Sequence, residues 1–77
     1  MIYRDRWTIW LTNHALKRAK YKGIYFDMIY ATIRGGKIKR FGKNYIAFTK
    51  SYKRGKVICV GEIKAVNKID IFTVEWG

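Results

Sequence analysis

The only histidine of the chain, His14, stands four residues before Arg18 in the stretch TNHALKRAKYKGI (12–24). In a helix this spacing places the two side chains on the same side, one turn apart. A neutral imidazole can serve as a general base near neutral pH, and a guanidinium group can hold a phosphate. Such a pair could assist attack of an RNA 2′-hydroxyl on the adjacent phosphate, a reaction that requires no metal ion.

Two residues further along the chain are candidates for the same catalytic site. Arg40, on a predicted basic strand, could hold the phosphate together with Arg18. Tyr45, just after the next turn, could donate a proton or stack on a base. Seven other cations are candidates for contacts to the phosphates of a nucleic acid. They are Lys17, Lys22, Lys39, Lys43, Lys53, Arg54 and Lys56.

Each of these residues also has an ordinary structural interpretation. His14 is compatible with the first turn of a solvated helix, and Arg18 with an ion pair to Asp27 or Glu75. Basic residues on an edge strand, such as Arg40, commonly prevent strands of different molecules from pairing. The sequence contains no Ser-His-Asp set, no carboxylate pair at strand ends and no glycine-rich phosphate loop, so other enzyme classes find no support.

The charge of the chain is its strongest compositional signal. Seventeen Lys and Arg residues against five Asp and Glu residues give a net charge of +12 on 77 residues. Repulsion at this density destabilises the compact state, so we expect a polyanionic partner to neutralise it. Nucleic acid is the first candidate, an acidic protein the second and an anionic membrane surface the third.

The remaining bulk properties predict one small domain, residues 1–77. A single cysteine, Cys59, excludes an intramolecular disulfide, and the lack of a Cys/His cluster argues against a structural zinc site. We expect neither a metal nor another cofactor. A lone thiol fits a reducing compartment. With no signal peptide and no apolar run of about 20 residues, we expect a cytoplasmic protein without a membrane segment.

Two amphipathic helices are predicted in the first half of the chain. WTIWL (7–11) is typical of a strand, after which Thr12 or Asn13 can cap a helix that Gly23 ends. The second helix has an apolar stripe with helical spacing and ends at Gly35. The residues of that stripe are Phe26, Ile29, Tyr30 and Ile33.

The second half of the chain has strand periodicity, with predicted strands at 37–41, 45–50, 57–63 and 68–76. The predicted element order is therefore β-α-α-β-β-β(-β). We expect an α+β domain in which two helices pack on one face of an antiparallel sheet. The opposite face should be concave and partly polar, or covered by a partner.

The three tryptophans have separate interpretations. Trp10, in the first predicted strand, is expected in the core. Trp7 and Trp76 lie near the ends of the predicted elements, and either core packing or a role as exposed stacking surfaces fits them.

A short motif resembles the opening of a family of small prokaryotic proteins. After a first strand, that family has a His-Ala pair, an Arg three residues later, a basic residue and Gly-Ile. The corresponding residues are His14, Ala15, Arg18, Lys22, Gly23 and Ile24. An acidic start of the second helix and the basic strands through IKRFGKNYIAF (38–48) extend the resemblance over residues 7–63. Lys22 stands where the family usually has arginine.

The family is similar in fold to RelE/ParE-type and BrnT-type toxins of toxin–antitoxin modules. The resemblance implies a RelE-like fold and a metal-independent ribonuclease that acts on RNA, either free or on the ribosome. It also implies an acidic antitoxin-like protein that covers the basic surface. Two alternatives remain open: a non-catalytic basic nucleic-acid-binding protein, and an interaction module for an acidic partner protein. Homo-oligomer formation is compatible with each.

Overall fold

A computed structural model of the chain describes all 77 residues. Six strands form one curled sheet in the order β1-β2-β6-β5-β4-β3, and two helices lie between the second and third strands of the sequence. The elements are β1 (Ile2–Arg4), β2 (Trp7–Leu11), α1 (Asn13–Tyr21), α2 (Phe26–Gly35), β3 (Lys37–Phe41), β4 (Tyr45–Tyr52), β5 (Gly55–Ala65) and β6 (Lys68–Trp76). Neither helix is long and apolar enough to cross a membrane.

The predicted α+β class with two helices is confirmed, whereas the prediction of an antiparallel sheet is wrong. The last strand, β6, inserts between β2 and β5, and it runs parallel to β2 and antiparallel to β5. The sheet is therefore mixed. It also contains a strand that was not predicted, β1, which forms an antiparallel hairpin with β2 through a turn at Asp5. A strand of three residues that runs directly into the charged stretch Arg4-Asp5-Arg6 is too short for its periodicity to indicate a strand.

The boundaries of α1 follow from local hydrogen bonds. The Thr12 hydroxyl accepts a bond from the backbone N–H of Ala15 at 3.1 Å, as in an ordinary N-cap. At the other end, Gly23 has a φ of 73°, and the N–H of Ile24 donates to the carbonyl of Ala19 at 2.8 Å. This is the glycine-terminated C-cap that the sequence predicted.

The helices cover one face of the sheet and form the core with it. Ala15 and Ala19 are buried on α1, and Ile29, Thr32 and Ile33 are buried on α2. The sheet contributes mainly branched side chains from the face below them. These are Ile2, Ile9, Ile46, Phe48, Val57, Cys59, Ile69, Ile71 and Val74. From residue 7 onward, each predicted helix and strand is present in the structure.

The apolar stripe of α2 is rotated relative to the prediction. Phe26 and Tyr30 are exposed, and Thr32 is buried together with Ile29 and Ile33. The Thr32 hydroxyl donates to the carbonyl of Met28 at 2.8 Å and lies 3.0 Å from the Tyr52 hydroxyl, so this buried polar group is satisfied. The aromatic rings of Phe26 and Tyr30 are thereby left available for other contacts.

A β-bulge in β6 changes which side chains face away from the helices. Val60 of β5 pairs with Thr73 and Gly61 pairs with Ile71, so Phe72 has no counterpart. A bulge of this kind re-aims the extra side chain. A Cβ atom at Gly61 would lie 2.7 Å from Cγ2 of Ile69, so the close approach of β5 and β6 requires glycine there.

The two adjacent glycines at the end of α2 should respond very differently to alanine. A Cβ atom at Gly36 would overlap the backbone oxygens of Thr32 and Thr49, whereas a Cβ atom at Gly35 has no neighbour within 4 Å. We expect Gly36→Ala to lower the free energy of unfolding by about 2 kcal/mol or more. The matched control Gly35→Ala should stay within about 1 kcal/mol of the wild type. Urea denaturation measures both, and equal stabilities of the two variants would contradict this packing.

Candidate functional site

The sheet face opposite the helices, here called the open face, is covered by no other element. Successive side chains of a strand point to opposite faces, so the neighbours of the buried core residues point outward. The open-face residues are Tyr3, Thr8, Trp10, Lys37, Lys39, Phe41, Tyr45, Ala47, Thr49, Ser51, Lys56, Ile58, Val60, Glu62, Lys68, Asp70, Phe72, Thr73 and Glu75.

Helix α1 borders the open face because it lies along the edge of β6. Arg18 donates to Oε2 of Glu75 at 3.3 Å, and Lys22, one turn further on, binds Oε1 of the same carboxylate. Glu75 pairs with Ile58 on the open face. Because His14 precedes Arg18 by one turn, the stripe His14–Arg18–Lys22 runs along this border, with His14 exposed at its start.

The Glu75 carboxylate is held ionised by its neighbours. A hydrogen bond from Lys22, a hydrogen bond from the Thr73 hydroxyl at 2.7 Å and the proximity of Arg18 lower its pKa from 4.5 to about 2. Glu75 therefore neutralises part of the charge on this border at neutral pH. Of the two ion-pair partners that the sequence suggested for Arg18, the structure has Glu75, and it adds Lys22 to the same cluster.

The end of α1 is joined to the β4–β5 hairpin through Trp76. Its indole N–H donates to the carbonyl of Lys22 at 2.8 Å, and the guanidinium of Arg54 lies over the ring, 5.1 Å from its centroid. Three predicted phosphate contacts therefore occur at this end of the molecule: Lys22, Arg54 and the neighbouring exposed Lys53. Trp76 packs partly against the core, as does Trp7.

Strand β3 forms the opposite border of the open face and is exposed along its whole length. Lys37 and Lys39 pair with open-face residues of β4, so they point to this face. Arg40 pairs with the buried Ile46 and therefore points to the other side of the sheet. The exposed Lys43 lies in the turn that follows, and Lys56 lies on β5, opposite Ser51.

The four predicted catalytic residues are thus not all brought together. His14 and Arg18 border the open face and Tyr45 lies on it, whereas Arg40 is on the opposite side of the sheet. Lys17 lies on the part of α1 that is turned away from Glu75. A phosphate bound on the open face would have Arg18 as its nearest guanidinium from this set, and Arg18 is engaged by Glu75.

An aromatic cluster on the open face was not recognised from the sequence. The Phe41 and Tyr45 rings are stacked, with centroids 5.6 Å apart and planes 19° apart, and Phe72 contacts Tyr45 edge-on at 6.2 Å. The turn at 42–44 was a sufficient signal for the Phe41–Tyr45 pair, because a three-residue turn places its flanking residues opposite each other. Phe72 joins them through the bulge, which no local pattern indicated.

Trp10 differs from the prediction. It was expected in the core, but it is 42% exposed and lies on the open face opposite Asp70. Lys68 lies over its ring, 5.8 Å from the centroid. In a strand with strict alternation, Trp10 and Ile9 cannot both face the core, and Ile9 takes that place.

A polar cavity of about 260 Å³ lies beside β4, next to the first residue of β3. It is lined by Gly35, Gly36, Lys37, Thr49, Lys50, Ser51 and Lys56. None of its three lysines is paired with a carboxylate. Three ammonium groups and two hydroxyls are suitable ligands for an anionic oxygen. Of these lysines, only Lys56 was predicted to contact phosphate.

Cys59 is not part of a reactive site. It is fully buried in the core, and burial raises its pKa from 9.0 to about 12. The thiolate, which is the nucleophilic form, is therefore scarce at neutral pH. Cys59 therefore serves as a small residue of the core.

Comparison with known proteins adds no relative: no family model, no curated protein and no solved structure matches the chain significantly.

The Glu75 cluster predicts a specific pH dependence of stability. Because the pKa of Glu75 is about 2 in the folded protein and 4.5 when unperturbed, its contribution is present above pH 4.5 and is lost as the pH falls towards 2. We expect Glu75→Gln to be less stable than the wild type at pH 7, by about 1 kcal/mol or less because the cluster is partly exposed. The difference should vanish near pH 2. Thermal unfolding followed across this range measures it, and a constant difference at all pH values would contradict the assignment.

Proposed function

We propose that the protein binds RNA through its open face and that it is a RelE/BrnT-like toxin of a toxin–antitoxin module, as its sequence motif suggests. The proposal rests on the distribution of charge. Only four of the seventeen basic side chains form an ion pair: Arg18, Lys22, Lys64 and Lys68. Apart from Arg4 and Arg34, which donate to backbone carbonyls, the other cations are exposed and can neutralise phosphates. Release of counterions from the nucleic acid would then drive binding.

The open face combines unpaired cations with aromatic rings. Lys37 and Lys39 line one border without a carboxylate partner, and at the other border Arg18 and Lys22 together exceed the single charge of Glu75. Tyr45 lies between them. A polyanion on this face would meet positive charge on both sides and an aromatic floor, which is the combination that nucleic-acid-binding surfaces use.

The helical side fits a protein partner better. A groove of about 380 Å³ between α1 and α2 has an almost entirely apolar lining. Its residues are Leu16, Lys20, Ile24, Tyr25, Phe26 and Ile29. An acidic antitoxin-like protein with an amphipathic helix would place apolar side chains in this groove and carboxylates near Lys20. Such a partner would reduce the net charge while leaving the open face accessible.

The RNA-binding proposal is tested by the salt dependence of affinity. We expect Lys37→Gln/Lys39→Gln to reduce the slope of log Kobs against log salt concentration by about 1 to 2, because two phosphate contacts are removed. The control Lys17→Gln/Lys20→Gln removes the same charge from the part of α1 turned away from Glu75. Fluorescence anisotropy with labelled RNA measures both. Equal effects of the two double variants would show that net charge, not the open face, determines binding.

Ribonuclease activity is a second candidate function. It is supported by the position of His14, which is exposed one turn before Arg18 at the border of the same face that carries Tyr45. A neutral His14 could remove the 2′-hydroxyl proton as the 2′-oxygen attacks the phosphorus, while a cation stabilises the charge that develops on the phosphate. The bond to the 5′-oxygen then breaks, the 5′-oxygen takes a proton from Tyr45 or from water, and a 2′,3′-cyclic phosphate is left. With Arg40 on the other side of the sheet, that cation would come from Arg18 or from the lysines of the open face.

The ribonuclease proposal predicts cleavage that is unaffected by EDTA and reduced by about 100-fold or more in His14→Ala, the usual effect of losing a general base. Asn13→Ala, an exposed neighbour in the same helical turn, is the control and should retain activity. Expression of the wild type, but not of His14→Ala, should arrest growth. If the wild-type protein cleaves neither free RNA nor ribosome-bound message, the catalytic proposal fails while the binding proposal stands.

A further inference from the structure

The aromatic cluster of Phe41, Tyr45 and Phe72 contacts no further aromatic ring of the chain. The three rings are between 38% and 42% exposed, although they contact one another. Exposed aromatic rings that are already ordered lose little conformational entropy when a flat ligand stacks on them. They come from β3, β4 and β6, so they are held by backbone hydrogen bonds rather than by a mobile loop.

The charge on the open face is arranged asymmetrically around this cluster. On the β3 side, Lys37 and Lys39 precede Phe41 at alternate positions and share its face of the sheet. Neither lysine is paired with a carboxylate. Lys37 lies about 13 Å from Phe41 along the strand. Lys37 also lines the polar cavity that contains Lys50 and Lys56.

On the other side of the cluster the open face carries two acidic residues. Glu62 is opposite Tyr45, and Asp70 is opposite Glu62. Their carboxylates lie 3.2 Å from Lys64 and 4.0 Å from Lys68, respectively. Because each carboxylate is paired with a lysine, this part of the face offers no unpaired cation to a phosphate, while a carboxylate there could accept a hydrogen bond from an amino group of a base. Phosphates are therefore expected along β3, and bases on the rings and towards β5.

We infer that the open face binds single-stranded RNA, with bases stacked on Phe41, Tyr45 and Phe72 and phosphates along Lys39 and Lys37. The inference rests on the proposed RNA-binding function and specifies its ligand. In a duplex the base faces are stacked on one another and cannot reach the rings, whereas the bases of a single strand can be splayed onto them. The aromatic rings thus favour single-stranded over double-stranded RNA, which the lysines alone would bind similarly.

The chain offers a matched control for the aromatic cluster. Phe26 and Tyr30 of α2 are also exposed and in mutual contact, with ring centroids 6.2 Å apart. They lie on the helical side of the sheet, near the apolar groove. Alanine at these positions removes a similar amount of exposed aromatic surface without changing the open face.

The experiment compares the affinity for a labelled oligouridylate with that for the same strand annealed to oligoadenylate. We expect the wild type to bind the single strand about tenfold more tightly or better. Phe41→Ala, Tyr45→Ala and Phe72→Ala should each weaken single-strand binding by about five- to 150-fold, the range observed for a base stacked on an aromatic side chain. Duplex binding should change little. Tyr45→Phe, which keeps the ring, should recover the affinity that Tyr45→Ala loses, and Phe26→Ala and Tyr30→Ala should bind as the wild type does.

The wild-type comparison needs no variant and so does not depend on how the variants fold. Equal, salt-dependent binding of single strand and duplex would overturn the stacking inference and leave the proposed RNA binding intact. Absence of binding to either RNA would overturn both. Self-association of the wild type that is lost in Phe41→Ala, with RNA affinity unchanged, would assign the cluster to contacts between copies of the chain and would also overturn the inference.

Discussion

The position of β6 between β2 and β5 is the constraint on which the rest of the molecule depends. β2 pairs only with the first half of β6, up to Ile71, and α1 then takes the place of a strand along the second half. At the start of this contact, the Thr12 hydroxyl donates a hydrogen bond to the Ile71 carbonyl. At its end, the Trp76 indole N–H donates a hydrogen bond to the Lys22 carbonyl. From Thr12 to Lys22 the helix rises about 15 Å, which is close to the roughly 16 Å of strand between Ile71 and Trp76. As a result the basic side of α1 borders the open face.

This arrangement also explains how a small domain tolerates a charge of +12. The cations are spread over both borders of the open face, the turns and the helical side, and nearly all of them are exposed to solvent. Where two of them, Arg18 and Lys22, come close together, Glu75 lies between them and stays ionised because its pKa is about 2. Glu75 thereby reduces the repulsion between these two cations. The repulsion among the other cations remains, and a bound polyanion would reduce it. Binding and stability are linked through the same charges.

The features that the sequence predicted are those set by neighbouring residues, and the features that it did not predict depend on distant ones. The Thr12 cap, the Gly23 helix end and most strand positions follow from local chemistry. Alternation also shows that Arg40 and Tyr45 point to opposite faces once the three-residue turn between them is recognised. The insertion of β6 beside β2 joins segments about sixty residues apart, and the bulge that exposes Phe72 depends on how two strands pack around a glycine. No local pattern contains that information.

The central claim is that the open face, and not the helical side, contacts nucleic acid. The most direct test is an NMR titration of the isotopically labelled protein with a short single-stranded RNA, in which each backbone amide reports on its own surroundings. We expect the largest changes in amide chemical shift at Lys39, Tyr45 and Phe72 and little change for Phe26 and Tyr30 on α2. Changes concentrated on α2 and the groove beside it, with the open face unaffected, would contradict RNA binding at the open face.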